Sequence, residues 1–515
     1  MARERARFEM TSVARIRERL RASSFIGSVG VYVVGGTVHR AAVFALVPLY
    51  TRYLTAAEFG LWGILNSILI VLTVVLDLGI SKSVLRYYFD HDSDDARVRG
   101  YMVVSFGLRV AATVLLVALA YCLGRPLWAL SVGDGLPYTP YVPLLLAAVA
   151  GETLGLMVIA VYRAQNRPLP FILARGSQAI LQLSLSAVLV AVMGFGVLGA
   201  IIGQAVGAAV VGTVVAVAFV RENLRGGLRI EIEDVWHNLR YGVPLIAHEL
   251  AWWVRSSADP IILAQFVSLA SIGVYHLGYM AGLALSFLVH SIDLAYAPRY
   301  YRTMRTNARA HIEVATYASR FIGFIGVLCT FGMLFAGEVI VVVADASYAG
   351  AGVIAPIVLA GYFLHAQYVL YVKPLAYHKR TGLIPLLTVV PSMAGIYANT
   401  LLVPHFGAIA AAWVTVATFA VVAAAVYGVS QRIDAVPYST GRILFFTCLV
   451  LLTGVWSALL SPEYGTLEAF LTKGVILALV AVAAWRMLLD PGHALAETGT
   501  AAAANPMTAV TGSAE

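Results

Sequence analysis

Charged residues are scarce in this chain. Only 12% of its 515 residues are Asp, Glu, Lys or Arg, whereas a soluble domain carries roughly 25%. Hydrophobic residues make up 60%, and the mean hydropathy is +0.84. This composition excludes a soluble globular protein. The net charge of +8 does not indicate nucleic-acid binding, because most basic residues lie in loops between long apolar runs.

Motifs that carry chemistry are also missing. The three cysteines, Cys122, Cys329 and Cys448, are far apart in apolar runs and show neither metal-ligand nor disulfide spacing. The sequence has no Gly-x-x-x-x-Gly-Lys-Ser/Thr loop, which excludes an ATP-driven pump acting alone. No Ser-His-Asp or His-x-x-His signature rises above chance. We therefore expect no enzyme, no cofactor and no metal centre.

Long apolar runs are what the chain does have. Stretches of about 20 residues, enough to span a membrane as a helix, recur along nearly the whole length. The runs are unbroken, which favours helices over the alternating strands of an outer-membrane barrel. We predict an all-α polytopic membrane protein with about fourteen transmembrane helices, at roughly 26–50, 60–84, 100–124, 141–163, 171–193, 196–219, 241–263, 272–296, 316–343, 351–375, 382–403, 407–429, 442–460 and 468–489.

Loop charges predict the orientation. Seven arginines lie between Arg3 and Arg21, and loops on that side carry seventeen more basic residues, against three on the opposite side. Because basic loops are retained in the cytoplasm, both termini are predicted to be cytoplasmic.

A shift of 213 positions aligns the two halves of the chain. It places Phe59-Gly60-Leu61-Trp62 on Ile272-Gly273-Val274-Tyr275. Six predicted spans then form one repeat and the next six form a second repeat with the same orientation. Paired repeats in membranes usually enclose a substrate site at their interface and rock around it, which points to a transporter.

The repeat also predicts the domain organisation. A basic cytoplasmic segment precedes the first lobe, a cytoplasmic loop joins the lobes, and two extra helices precede a disordered cytoplasmic tail rich in Ala, Thr and Gly. In chain order these regions are 1–25, 26–219 (first lobe), 220–240 (loop), 241–430 (second lobe), 441–490 (extra helices) and 491–515.

Charges inside predicted spans are the candidate functional residues. Each costs ~2.5–3.5 kcal/mol at a helix centre on insertion scales, so each requires an explanation. Arg255 and Asp259 stand four residues apart and could simply pair with each other, and Asp77 could pair with Lys82 or Arg40. The candidates are Arg40, Asp77, Glu152, Glu249, Arg255, Asp259, His290, Asp293, His365 and Lys373, with Arg109, Arg175 and Arg320 ranked lower because they lie nearer span ends.

Intramembrane arginine favours an anionic ligand. A guanidinium cannot lose its proton to escape burial, which makes Arg40 the sharpest candidate. Arginine binds phosphate and pyrophosphate through paired hydrogen bonds. An exporter of cationic drugs would instead need a site dominated by carboxylates and aromatic rings.

An ordered series of segments carries a family resemblance. They are PLYTRYLTAAEFGLW at 48–62, DLGI at 77–80, RYYF at 86–89, LRYGVPLI at 239–246, GVY at 273–275, APRYY at 297–301, TGLIPL at 381–386 and VPHFGA at 403–408. The series spans about residues 25–430 and resembles polysaccharide-biosynthesis flippases of the Wzx type. Their superfamily also contains multidrug exporters and peptidoglycan-precursor flippases.

The resemblance implies two six-helix lobes that work by alternating access in a bacterial inner membrane. The implied cargo is a polyprenyl-pyrophosphate-linked oligosaccharide that moves from the cytoplasmic to the outer leaflet. Arg40, Arg52 and Arg255 are the implied anion contacts. The cycle would be coupled to protons or sodium, and membrane lipid and glycan assembly proteins are the implied partners.

Three carboxylates are candidates for that coupling: Asp77, Glu152 and Asp259. The last departs from the family pattern, since relatives often have arginine directly after this aspartate and here Pro260 follows. Pro260 allows a local break in the helix that would expose backbone carbonyls.

The sequence is also compatible with two other functions. An ion-coupled multidrug exporter would share the fold, although the intramembrane arginines argue against it. A glycan polymerase or ligase would also be polytopic, but such enzymes usually carry a large external loop, and the external connections here are short.

Overall fold

The computed structural model describes residues 44–91, 96–132, 137–165, 167–224, 230–307, 309–460 and 466–489. Every regular element in these ranges is helical, which confirms the all-α fold class. Twelve helical stretches among them are long and apolar enough to cross a membrane. The chain is therefore a multi-pass membrane protein.

The chain divides into two compact units. The first comprises the described residues up to Leu54 together with Ile64–Leu250. A π-helical turn, Ala187–Val192, follows its sixth helix. Its helices are α1 (44–53), most of α2 (Ala56–Asp77), α3 (Ile80–Asp90), α4 (Ala96–Val132), α5 (Tyr141–Ala164), α6 (Pro168–Ser186), α7 (Gly196–Asn223) and the larger part of α8 (Glu233–Ser257).

The second unit comprises Thr55–Gly63 and the chain from Ala251 onward. It therefore includes the first turns of α2 and the last turns of α8. Its own helices are α9 (Asp259–Leu263), α10 (Leu269–Thr306), α11 (Ala310–Val343), α12 (Ala351–Tyr371), α13 (Lys373–Tyr377), α14 (Leu383–Phe406), α15 (Ala408–Ile433), α16 (Thr440–Leu460) and α17 (Leu467–Leu489).

Small residues let helices approach closely in the first unit. A Cβ atom placed on Gly212 of α7 would lie 2.8 Å from the carbonyl carbon of Gly151 in α5. Such backbone contact is how helices associate in membranes, where apolar surface alone gives no preference for protein over lipid. An aromatic and aliphatic cluster that includes Tyr87, Tyr101 and Phe219 adds side-chain packing.

The core of the second unit is built around α12. In its most apolar stretch 89% of the residues are buried, and it packs against α10, α11, α15 and α16. This arrangement leaves α14 on one side of α15, next to the break between α8 and α9. The candidate site lies at that break.

That break was predicted at Pro260 and is present. Helix α8 ends at Ser257, and α9 begins at Asp259 with Ala258 between them. Proline cannot donate a backbone hydrogen bond and its ring obstructs the preceding turn. A new turn starts instead, in which the amide of Ile261 donates to the carbonyl of Ala258 at 3.1 Å.

Several predicted segments lie wholly or partly outside the described residues. The predicted segment 1–25, most of the span 26–50 and the tail 491–515 lie outside them. The span predicted at 241–263 corresponds to α8 and α9, and α8 is too polar to count among the twelve apolar stretches. The predicted count of fourteen spans and the predicted domain limits stay predictions.

Candidate functional site

Arg255 is a buried cation near the end of α8. Its residue is 6% exposed, and its Nη1 donates to the Thr388 carbonyl (3.2 Å) and to Ser392 Oγ (3.1 Å) on α14. The guanidinium also lies 5.7 Å from the ring centroid of Trp252. Among the described residues Arg255 has no carboxylate partner. A buried guanidinium with only neutral partners leaves its charge available to an incoming anion.

Asp259 is a buried carboxylate that, in the described residues, is hydrogen-bonded by neutral groups only. Tyr275 Oη donates to its Oδ2, as does Thr415 Oγ1 at 3.2 Å, and Asn399 Nδ2 donates to Oδ1 at 3.2 Å. No cationic side chain in the described part of the chain pairs with it. Three neutral donors stabilise the carboxylate but do not neutralise it.

The two charged residues line one pocket within the second unit, but they do not pair with each other. The possibility of an i,i+4 ion pair is therefore not realised, because the helix breaks at Ala258 and Asp259 begins a new helix. The pocket is lined by residues of α8, α9, α14 and α15: Val254, Arg255, Asp259, Ile262, Ser392, Gly395, Ile396, Asn399, Val414, Thr415, Thr418 and Phe419.

Asn399 makes the pocket suitable for a small cation. Its Oδ1 is buried and has no hydrogen-bond partner, while its Nδ2 donates to Asp259. Asp259, Asn399 and Thr415, which carry carboxylate, amide and hydroxyl oxygens, therefore line one pocket beside a broken helix. Broken membrane helices provide such oxygens for sodium or protons in transporters.

Two histidines lie beside the arginine. The rings of His290 and His365 stack with their centroids 5.6 Å apart, and Trp252 lies 5.0 Å from His365. His365 is buried and its Nε2 has no partner. These histidines are the residues that the 213-position shift aligns with Asp77 and Glu152, so one repeat carries imidazoles where the other carries carboxylates.

Asp77 pairs with Arg109 in the first unit. Arg109 is fully buried and donates to the Asp77 carboxylate, to the Ser81 hydroxyl (3.2 Å) and to the Thr153 carbonyl (2.7 Å). The sequence suggested Lys82 or Arg40 as the partner of Asp77, but Lys82 pairs with Glu249 instead. The actual partner, Arg109 on α4, was ranked lower in the sequence analysis because it lies nearer the end of its predicted span.

Glu152 is neutralised in the same way. Arg175 Nη1 lies 2.9 Å from its Oε1, and Gln178 Nε2 donates to its Oε2 at 2.6 Å. Both partners are on α6, whereas Glu152 is on α5. Their roles in coupling stay predictions, as do those of the other candidate residues.

The other two predicted anion contacts are Arg52 and Arg40. Arg52 is exposed near the end of α1, and Arg40 lies outside the described ranges. The residues that sequence reasoning missed are uncharged: Tyr275, Thr388, Ser392, Asn399 and Thr415. Polar side chains in otherwise apolar helices were the available signal, but such residues are too common for composition alone to select these five.

The sequence has a family relationship that covers more than half of its length. Residues 26–304 match the profile of a family described as polysaccharide biosynthesis protein. No protein of curated function matches the sequence significantly.

Solved structures share the fold at low sequence identity. Lipid II flippase MurJ, in an inward closed conformation, has a TM-score of 0.68 at 12% identity, covering 89% of this chain and 99% of that chain. An inward-facing multidrug resistance MATE family transporter scores 0.58 at 15%, covering 78% and 95%. A MOP superfamily transporter from Pyrococcus furiosus scores 0.54 at 13%, covering 81% and 96%. The chain therefore shares its fold with these three proteins.

Proposed function

The chain belongs to the polysaccharide biosynthesis protein family, and from this premise we propose that it is a flippase for a lipid-linked glycan. It moves a polyprenyl-pyrophosphate-linked oligosaccharide from the cytoplasmic to the outer leaflet by alternating access. The glycan and pyrophosphate cross through the protein while the polyprenyl tail stays in the bilayer. Transport is its whole activity, and no residue acts as a catalyst.

The observation that carries this proposal is that Arg255 has no carboxylate partner among the described residues. A cation exporter has no use for a buried guanidinium in its path, since the guanidinium would repel the cargo. A pyrophosphate supplies the missing counter-charge and can accept paired hydrogen bonds from the guanidinium. In this proposal Arg40 and Arg52 are further anion contacts along the path.

Coupling belongs to Asp259 in this proposal. A proton or a sodium ion bound there would supply the positive charge that the three neutral donors do not. Asp77 and Glu152 are weaker coupling candidates, because Arg109 and Arg175 already neutralise them. They would need to exchange these partners during the cycle.

The setting follows from the same premise. We place the protein in a bacterial inner membrane with both termini in the cytoplasm, where the basic loops remain. Its partners are then the lipid-linked glycan, the surrounding lipid and the proteins that assemble the glycan.

Lipid extraction from cells depleted of the protein tests the proposal. We expect lipid-linked oligosaccharide to accumulate in the inner leaflet while surface glycan is lost, since synthesis continues without export. Unchanged lipid-linked intermediates, with altered sensitivity to cationic compounds, would favour a multidrug exporter and reject the flippase. Accumulation of exported but unpolymerised oligosaccharide would instead indicate a polymerase or ligase.

A further inference from the structure

The first turns of α2 and α10 contact each other through their backbones. These turns, Ala56–Gly63 and Leu269–His276, both belong to the second unit. A Cβ atom on Gly60 would lie 2.8 Å from the backbone nitrogen of Gly273, and one on Gly273 would lie 3.0 Å from that of Gly60. A Cβ on Gly60 would also overlap the Leu269 carbonyl oxygen, and one on Gly273 would overlap the Ala56 carbonyl oxygen, so the contact requires glycine on both helices.

Residues aligned by the 213-position shift meet each other here. Gly60 is aligned with Gly273, and the two are in contact. The next aligned pair on the same face is Gly63 and His276, and here the helices differ. The imidazole occupies the space that Gly63 leaves, so that a Cβ on Gly63 would lie 2.9 Å from the ring carbon Cγ.

His276 is buried in an aromatic environment. It is 6% exposed, and the described residues provide neither a counter-charge nor a hydrogen-bond partner for its Nε2. The ring centroids of Phe59 and Trp62 on α2 lie 5.5 Å from that of His276, at interplanar angles of 54° and 74°. Both rings are uncharged, so neither supplies a counter-charge to a protonated imidazole.

The charged side chains near this contact are hydrogen-bonded to groups other than His276. Tyr348, in the turn Ala346–Tyr348, contacts Phe59 with its ring. The Glu58 carboxylate accepts hydrogen bonds from Thr55, and that of Asp345 accepts one from the Ser347 amide. No ion pair among the described residues involves His276. On α12, Ala351 and Ile354 pack against Gly278, two residues further along α10, and neither residue is ionisable.

We propose that His276 is a proton-binding site that controls the contact between α2 and α10. The imidazole is neutral while the contact is closed, and it takes a proton from the outer medium when the contact opens. The inference rests on the orientation and alternating access of the proposed function, which put these turns on the outer side. It does not depend on the cargo.

Protonation of His276 is thermodynamically linked to opening of the contact. A protonated His276 in the closed contact would be a buried cation without a partner, which is strongly unfavourable. In the open state the ring is in water, where histidine titrates near pH ~6.5. Protonation therefore pulls the equilibrium toward opening, and the open population rises about tenfold between pH 7.5 and 5.5.

Thiol accessibility in intact cells measures this opening. The native cysteines, Cys122, Cys329 and Cys448, are first replaced by alanine. Ile272→Cys then places a reporter at a fully buried position next to Gly273, and Ala270→Cys places a matched reporter at an exposed position. A membrane-impermeant thiol reagent is applied outside, and the ratio of the two labelling rates removes the pH dependence of the thiol reaction.

We expect this ratio to rise about tenfold between pH 7.5 and 5.5 with His276 present, and to stay flat in the His276→Gln variant. A flat ratio with His276 present would overturn the proposal, even if the Gln variant does not fold. The same rise in a folded Gln variant would also overturn it, because another group would then be responsible.

A glycine substitution gives an independent check. Gly63→Ala forces the imidazole out of its space, so we expect a high labelling ratio at every pH. Gly428→Ala, where a Cβ meets nothing within 4 Å, is the matched control and should behave as the parent protein. A Gly63→Ala ratio equal to that of the control would contradict the assigned contact. None of these readouts uses the glycan, so they can succeed where the flippase test fails, or the reverse.

Discussion

Three arginines inside predicted membrane spans differ in the groups that they contact. Arg109 and Arg175 each meet a carboxylate on a neighbouring helix, whereas Arg255 meets a carbonyl and a hydroxyl. Burying an ion costs several kcal/mol unless a partner compensates it. Arg109 and Arg175 therefore read as structural residues in the observed conformation, and Arg255 is the one poised to bind an anion.

Replacing Arg255 tests that distinction. We expect Arg255→Ala to abolish transport, while Arg255→Lys retains part of it, because lysine keeps the charge but not the paired hydrogen bonds. Transport is measured as restoration of surface glycan in depleted cells, with the amount of protein in the membrane checked by immunoblot. Arg299→Ala is the control, since its side chain is 70% exposed and pairs only with Glu313 at 2.9 Å. Full transport by a well-inserted Arg255→Ala protein would reject the anion role.

Asp259 is expected to set the dependence on the coupling ion. Asp259→Asn keeps the shape of the side chain but removes the charge that a proton or sodium ion would neutralise. Transport by this variant should no longer respond to the sodium or proton gradient, measured by collapsing each gradient separately. Asp345→Asn, an exposed carboxylate in a turn, is the control. An unaltered response in Asp259→Asn would move the coupling role to another carboxylate.

Asp434 predicts a pH dependence of stability outside the spanning segments. Burial opposes its ionisation, but hydrogen bonds from His311 (2.6 Å) and His378 (2.9 Å) outweigh that effect, and the pKa of Asp434 is lowered. A lowered folded-state pKa means that its stabilisation is fully present above the unfolded value and is lost as the pH falls through the folded value.

The corresponding measurement is the unfolding temperature in detergent. Asp434→Asn should unfold at a lower temperature than the parent at pH 7. The difference should begin to shrink as the pH falls below ~4, the unfolded-state value, and should vanish once the carboxyl is protonated in the folded parent too. Asp90→Asn, an exposed carboxylate paired with exposed Arg86, should show little effect. A difference that persists unchanged at acid pH would show that the Asp434 charge is not its source.

At the scale of helices, close backbone contact decides how α5 and α7 pack. Gly151→Ala adds a Cβ where the backbone of Ala208 and Ala209 already lies. We expect a loss of about 1–3 kcal/mol in the free energy of unfolding, as overpacking typically costs, seen as a lower unfolding temperature. Gly176→Ala is the control, because a Cβ there meets nothing within 4 Å. Equal stability of the two variants would show that α5 and α7 can separate without cost.

The break between α8 and α9 determines which groups the charged side chains of Arg255 and Asp259 contact. In one continuous helix Arg255 and Asp259 would face each other and neutralise each other. The new helix start at Asp259 turns its carboxylate toward Tyr275, Asn399 and Thr415 instead. Pro260 thereby keeps a cation and an anion in one pocket from pairing with each other. Neither has a partner of opposite charge in the described part of the chain, so each is available to a different ligand.

At the scale of the whole molecule, the basic residues of the loops predict that both termini are cytoplasmic. A fluorescent protein fused to either end should fluoresce in the cytoplasm, and alkaline phosphatase fused there should be inactive, since it folds only outside. An active phosphatase at one terminus alone would mean an odd number of spans. Active phosphatase at both ends would reverse the orientation and place the α2–α10 contact on the inner side.

The sequence by itself determined the helical membrane class, because apolar runs of spanning length leave the backbone no other way to satisfy its hydrogen bonds in lipid. It also placed Arg255 and Asp259 among the candidate residues, since charges inside predicted spans are rare, and it predicted the break at Pro260. Only the tertiary structure decided what those charges meet. The partners of Arg255 are 133 and 137 residues away in the chain, and Asn399 is 140 residues from Asp259. Periodicity and local spacing act over a few turns, whereas the neutralisation of a buried charge depends on which helices pack side by side.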